Sequence, residues 1–148
     1  PPSTPTQPGA VIVEDTSSGF VTGGSSSGWQ TSSIGYGGRM IWTRNNDWAR
    51  PNYNWVRWTP DLERGRYEVY VYVPASHATT TNARYWVAHW DGFTLRRVDQ
   101  SANGGRWVSL GTYRFRGRNV EYVSLSDITY EPYLSAHIGF DAVKWVPR

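Results

Sequence analysis

Between Tyr67 and Val73 the residues alternate without a break, with Tyr67, Val69, Val71 and Val73 in one set and Glu68, Tyr70 and Tyr72 between them. A repeat of two is that of a β-strand, so the first set is expected to face a core. Downstream, Asp91-Gly92 separates two further alternating runs that extend from Tyr85 to Val98. Asp-Gly suits a two-residue hairpin turn because both central positions need φ above zero. The expected pairing sets Trp90 opposite Phe93. It puts Tyr85, Val87, His89, Thr94, Arg96 and Val98 on one face, and Trp86, Ala88, Trp90, Phe93, Leu95 and Arg97 on the other. A sandwich of two sheets buries one face of each, so one of these sets is left outside unless something covers it.

Other strands are expected at Val11 to Val13, Arg39 to Thr43, Asn54 to Trp58, Trp107 to Phe115, Val120 to Leu125 and Ile138 to Val146. That makes about nine or ten in all, the number of an all-β, jelly-roll-like antiparallel β-sandwich. Nine Trp and ten Tyr beside 15 Gly, 9 Pro and one Met fit short strands joined by tight turns, and 148 residues fit one domain. Ser17 to Gly28 reads as Gly/Ser-rich turns. Within it, Gly24-Ser25-Ser26-Ser27-Gly28 matches G-x-S-x-G, but it lacks the strand before and the helix after that give the motif its chemistry, so the match is chance. Two irregular stretches, Arg44 to Tyr53 and Ser126 to His137, carry aromatics in loops.

The net charge of +3 comes from 14 Arg and one Lys against 12 acids, and the arginines are scattered among strands and turns. A nucleic-acid binder gathers its basic residues into a stripe, so nucleic acid is not the expected partner. No cysteine is present, which leaves disulfides and thiol chemistry out. No apolar run approaches the roughly 18 residues of a membrane span. A chain that opens on Pro rather than Met reads as a processed or excised mature fragment, here of a secreted or cell-surface protein. Its first nine residues, PPSTPTQPG, have the composition of an extended arm or linker ahead of a domain over 10–148.

Three segments, GRYEVYVYVPA at 65–75, ANGGRWVSLGTYRF at 102–115 and FDAVKWVP at 140–147, together resemble the golvesin and xanthan-lyase carbohydrate-binding-like domain family. VIVEDTSSGF near the start, Trp58-Thr59-Pro60 before Leu62, and the hairpin with Tyr85, His89 and Asp91-Gly92 extend the resemblance over nearly all of the chain beyond the arm. It implies a jelly-roll sandwich appended to secreted bacterial hydrolases or lyases, helping them hold polysaccharide, with no catalytic residues of its own. By the same analogy Tyr85, Val87, His89 and Val98 are core, and Trp86, Trp90, Phe93 and Leu95 are the outer set. The loops 44–53 and 126–137 depart from the family pattern and are candidates for new function.

A glycosidase or lyase needs paired carboxylates, or a base with a charge-neutralising partner, in one cleft, and no acidic pair here has a spacing that argues for one. His77, His89 and His137 lie far apart in sequence with no ligand spacing, so no transition metal is expected. Calcium leaves little sequence trace, and Glu14, Asp15 and Asp141 are its candidates. No other cofactor is expected. Sugar binding needs flat apolar platforms beside polar groups, and Trp48, Tyr53, Trp55, Trp86, Trp90, Tyr130 and Tyr133 have that chemistry. The expected function is therefore a non-catalytic extracellular module that contacts a polysaccharide or other glycan through surface aromatics. The alternative is a self-assembling subunit of an extracellular fibre or surface layer, a homo-oligomer or polymer, with the arm lying on a neighbouring copy and the outer aromatic face buried in contacts.

Overall fold

The computed structural model describes residues 9–25 and 27–148. The arm, apart from Gly9, and with it the proposed contact to a neighbouring copy, lies outside the described residues. Among those described, twelve strands run in chain order: β1 (Val11–Val13), β2 (Phe20–Gly24), β3 (Gln30–Ser32), β4 (Met40–Arg44), β5 (Asn54–Trp58), β6 (Gly65–Val73), β7 (Ala83–His89), β8 (Gly92–Val98), β9 (Arg106–Phe115), β10 (Val123–Ser126), β11 (His137–Phe140) and β12 (Val143–Pro147). They pair antiparallel in three sheets, ordered β1-β12-β6-β9, β2-β5-β10-β7-β8 and β11-β4-β3. The result is an antiparallel β-sandwich.

The alternation in β6 does what its period dictates: Tyr67, Val69, Val71 and Val73 are buried in one core with Trp145, Leu110 and Phe115 of the same sheet. Facing them are Val56, Trp58, Tyr85, Val87, Val123 and Leu125 of the five-stranded sheet. Ile41, Ile138 and Phe140 of the small sheet close one end. Burying side chains of this size contributes roughly 1.5–3 kcal/mol each, so the strand faces are fixed chiefly here. Trp58 adds direction, since its ring nitrogen donates to the Asp141 carbonyl at 2.8 Å.

Small shifts of one or two residues at strand ends apart, four stretches differ from the sequence reading. Ser17 to Gly28 is not all turn, because Phe20–Gly24 pairs with β5 along its whole length, and Phe20 packs its ring edge-on to Trp58. Packing against a neighbour there overrides the poor strand propensity of Gly. Gln30–Ser32 likewise pairs with β4 as an edge strand. The strand expected at Val120 to Leu125 starts only at Val123, because Glu121 is occupied as an acceptor for the amides of Arg116 and Gly117. The strand expected from Ile138 to Val146 is two strands, broken at Asp141-Ala142, where the chain leaves the small sheet for β6.

The hairpin also differs. His89 pairs with Gly92 and Ala88 with Phe93, so Trp90 and Asp91 form the tip and Trp90 does not face Phe93. The offset is two residues, which preserves the face of every other member. Gly92 has a φ of 121°, which a side chain disfavours, so the glycine is needed just after the tip.

Candidate functional site

On the five-stranded sheet, the outer residues of three adjacent strands form a groove. In β5 the inward Asn54, Val56 and Trp58 leave Trp55 and Arg57 pointing out. In β10 the inward Val123 and Leu125 leave Ser124 and Ser126 outside, and in β7 Tyr85 and Val87 leave Trp86 outside. The register aligns Arg57, Ser124 and Trp86 in one row across the strands and places Trp55 beside Ser126. Small hydroxyls thus form a floor one strand wide. The walls spring from strands two ladder spacings apart, roughly 10 Å. Tyr53 joins them, and the enclosed volume is about 230 Å³. Trp86 is 41% exposed, a large fraction for a Trp on a strand. Arg57 lies 4.0 Å from the Tyr122 ring centroid and 5.6 Å from that of Trp55, which holds its cation along the groove wall.

A second concavity of about 200 Å³ sits at the loop end of the sandwich, lined by Gln30, Trp42, Arg44, Asn46, Asn52 and Asp127 among others. Asp127 ties the two aromatic loops together. Its side chain accepts from Asn46 Nδ2 at 3.1 Å and from the Asn54 amide at 3.1 Å, and its carbonyl accepts from the Asn46 amide. Burial pushes its carboxyl up to about 6, against the opposing pull of those donors. Neighbouring Asn45 fastens the other loop, donating to Thr129, Glu131 and Pro132 and accepting from the Ala136 amide. Trp42 stacks on both His77 and His137, at 4.3 and 4.2 Å between centroids. The imidazoles are 5.4 Å apart, too close to lie on opposite faces of the indole, and their Nδ1 atoms are 3.2 Å apart. Histidines 60 residues apart are therefore neighbours, which sequence spacing could not reveal. Burial, with the charges of Arg44 and His77 adding to it, holds the His137 pKa below the ordinary value.

The seven aromatics considered from sequence do not make one surface. Tyr53, Trp55 and Trp86 meet in the groove. Trp48 and Tyr133 sandwich Arg50 at 5.3 and 4.2 Å, with Asn52 donating to the Tyr133 hydroxyl. Arg50 is also bonded twice to Asp47, so this cation is already engaged. Tyr130, exposed, carries Arg84 at 5.0 Å. Trp90 is at the far hairpin tip under Arg64, Arg114 and Arg116, each 5.0–5.3 Å from its ring, so it is not part of the Trp86 face. A cluster that sequence reasoning missed lies on the other main sheet, where Tyr36, Tyr72 and Trp107 pack edge to face and Lys144 sits 4.3 Å over Trp107. Its sequence signals were Tyr72 on the outward parity of the 67–73 alternation and the lone lysine after FDAV.

The acids considered for calcium lie around the turn at Tyr36–Gly38. Asp141 is buried and accepts from the Tyr36 amide at 3.0 Å. Burial raises its carboxyl to about 8, and the charges of Asp15 and Glu14 add to this. Asp15 binds Arg39 at 2.5 Å. Among the described residues, no group of three or more His, Asp or Glu stands close enough to hold a metal ion. No helix among them is long and apolar enough to cross a membrane.

Residues 11–147 match the family model described as the Golvesin C-terminal domain. A xanthan lyase of Bacillus sp. (strain GL1) is 31% identical over 150 residues, which take in 98% of this chain and 15% of that protein. The solved structure of a Paenibacillus xanthan lyase superposes with a TM-score of 0.78 at 28% identity, over 94% of this chain and 13% of that one. The chain thus spans about one seventh of the length of these relatives. The match over the whole described sandwich makes this chain a member of the Golvesin C-terminal domain family.

Proposed function

We propose that this domain is a non-catalytic, extracellular carbohydrate-binding module that seats polysaccharide in the groove between Trp55 and Trp86. The observation that carries the reading is the pairing of two outward indoles across a floor of Ser124 and Ser126. Pyranose C–H faces pack on indole rings, while hydroxyls need short polar partners between them. Arg57 supplies a donor along one wall. Among the described residues no carboxylate lines the groove, so general acid–base cleavage of a glycosidic bond has no agent among them there. Likeness to two xanthan lyases supports a polysaccharide as ligand.

Affinity electrophoresis through gels containing xanthan, other acidic polysaccharides or neutral glucans tests this. Wild type should be retarded in at least one gel, and Trp55→Ala and Trp86→Ala should each weaken binding by about tenfold, the effect of losing one well-packed ring. Equal migration of all three proteins in every gel would sink the reading.

A further inference from the structure

The loop-end cavity is separate in chemistry from the sheet groove, and four features point to its occupant. First, Asn46 lines it, is 1% exposed, and keeps a side-chain oxygen that has no hydrogen-bond partner. Turning the amide over would leave its nitrogen unmet instead and would also take the donor away from Asp127, so the orientation shown is the better satisfied one. A buried amide group left unmet costs roughly 1–3 kcal/mol, which a ligand hydroxyl would recover. Second, Gln30 and Asn52 add two more amide side chains to the lining. Third, Trp42 supplies an indole wall, positioned by the two histidines stacked on it. Fourth, exposed Arg44 lines the same cavity and forms no ion pair among the described residues, whereas nearby Arg50 is held by Asp47. The one carboxyl in the lining among the described residues, Asp127, has both oxygens met by N–H donors.

We infer that this cavity binds a single acidic sugar residue, with its carboxylate on Arg44, its hydroxyls on Asn46, Gln30 and Asn52, and its ring against Trp42. The inference rests on the carbohydrate reading above and adds a second site with its own ligand class. A concavity of about 200 Å³ at the loop end takes one residue, such as the terminus or a side branch of an acidic glycan, whereas the groove laid across the sheet takes a stretch of chain.

The test is titration of the ¹⁵N-labelled domain with glucuronate, glucose and acetate, followed by NMR. Glucuronate should shift the side-chain amides of Asn46 and Asn52 and the backbone of Arg44. It should bind about tenfold more tightly than glucose, the worth of one charge-assisted contact. Arg44→Gln, at an exposed position, should erase that preference, and Trp86→Ala should leave it intact. Equal response to glucose and glucuronate, an acetate response as strong as that to glucuronate, or shifts confined to the sheet groove would each overturn the assignment. Polysaccharide retention without cavity shifts would defeat this site and leave the groove standing. Cavity shifts without retention would do the reverse. A short acidic oligosaccharide added last separates the sources: tighter binding than glucuronate, with cavity shifts, places a glycan end there, and oligosaccharide shifts that avoid the cavity count against it.

Discussion

The indole of Trp55 lies directly over the backbone of Gly23 on the adjoining edge strand, so closely that a β-carbon at Gly23 would stand 2.0 Å from Cζ2 of Trp55. The glycine in β2 is thus a socket for a ring on β5, and the wall of the groove is set by a residue that has no side chain.

Gly23→Ala should therefore evict the ring. Glycan binding should fall by about as much as in Trp55→Ala, roughly tenfold, because the indole loses its seat. Thermal unfolding should change little, since edge strand and ring both face outward. A variant that keeps wild-type binding would show that Trp55 is not a wall of the site.

Gln100 is the polar rivet of the core. Fully buried, it donates to the Tyr85 hydroxyl and the Gly139 carbonyl and accepts from the Gly139 amide. Gln100→Ala leaves three buried groups unmet and should cost on the order of 3 kcal/mol or more in urea unfolding. Tyr85→Phe removes only the one bond to Tyr85 and should cost about 1 kcal/mol. Equal losses in the two variants would mean that the Gly139 bonds carry no weight.

Asp141 should make the fold less stable as pH rises. Its carboxyl, raised mainly by burial to about 8 in the folded state, has an ordinary value of 3.8. The folded chain keeps the proton where the unfolded chain has lost it, so this contribution is fully present below about pH 4 and lost as pH rises through 8. Asp127, raised to about 6, acts in the same sense but is finished earlier, which leaves the interval from 6 to 8 to Asp141. Asp141→Asn should remove this slope. The gain in Tm over wild type should be larger at pH 8.5 than at pH 5. A constant offset at both values would contradict a raised Asp141.

The parity of the hairpin was legible in the sequence even though its register was not. Side-chain face depends only on odd or even position, so Tyr85, Val87 and Val98 stay inside under a two-residue offset. Register depends on which residues form the tip, and there Trp90 is held through its amide by the Arg114 carbonyl and by three arginines over its ring. These are contacts from another strand and another loop, which no local Asp-Gly signal contains. Trp55 and Trp86 could be read as outward from alternation alone. That they stand on either side of Ser124 and Ser126 depends on β10 entering between β5 and β7, a matter of topology. The cavity around Asn46 and Trp42 is less legible still, since neither the second Asn of an Asn-Asn pair nor a Trp beside Thr43 differs in sequence from ordinary loop and core residues.

Apart from Tyr53, each outward side chain of the groove sits on a strand whose alternate residues are committed to the interior. Val56, Leu125, Tyr85 and Val87 hold the sheet in place whatever stands at 55, 57, 86, 124 and 126. Scaffold and reading surface are thus encoded on opposite parities of the same short strands, and substitutions can accumulate on one without disturbing the other. A fold so divided can change what its outer face contacts through a handful of outward positions while its interior stays the same.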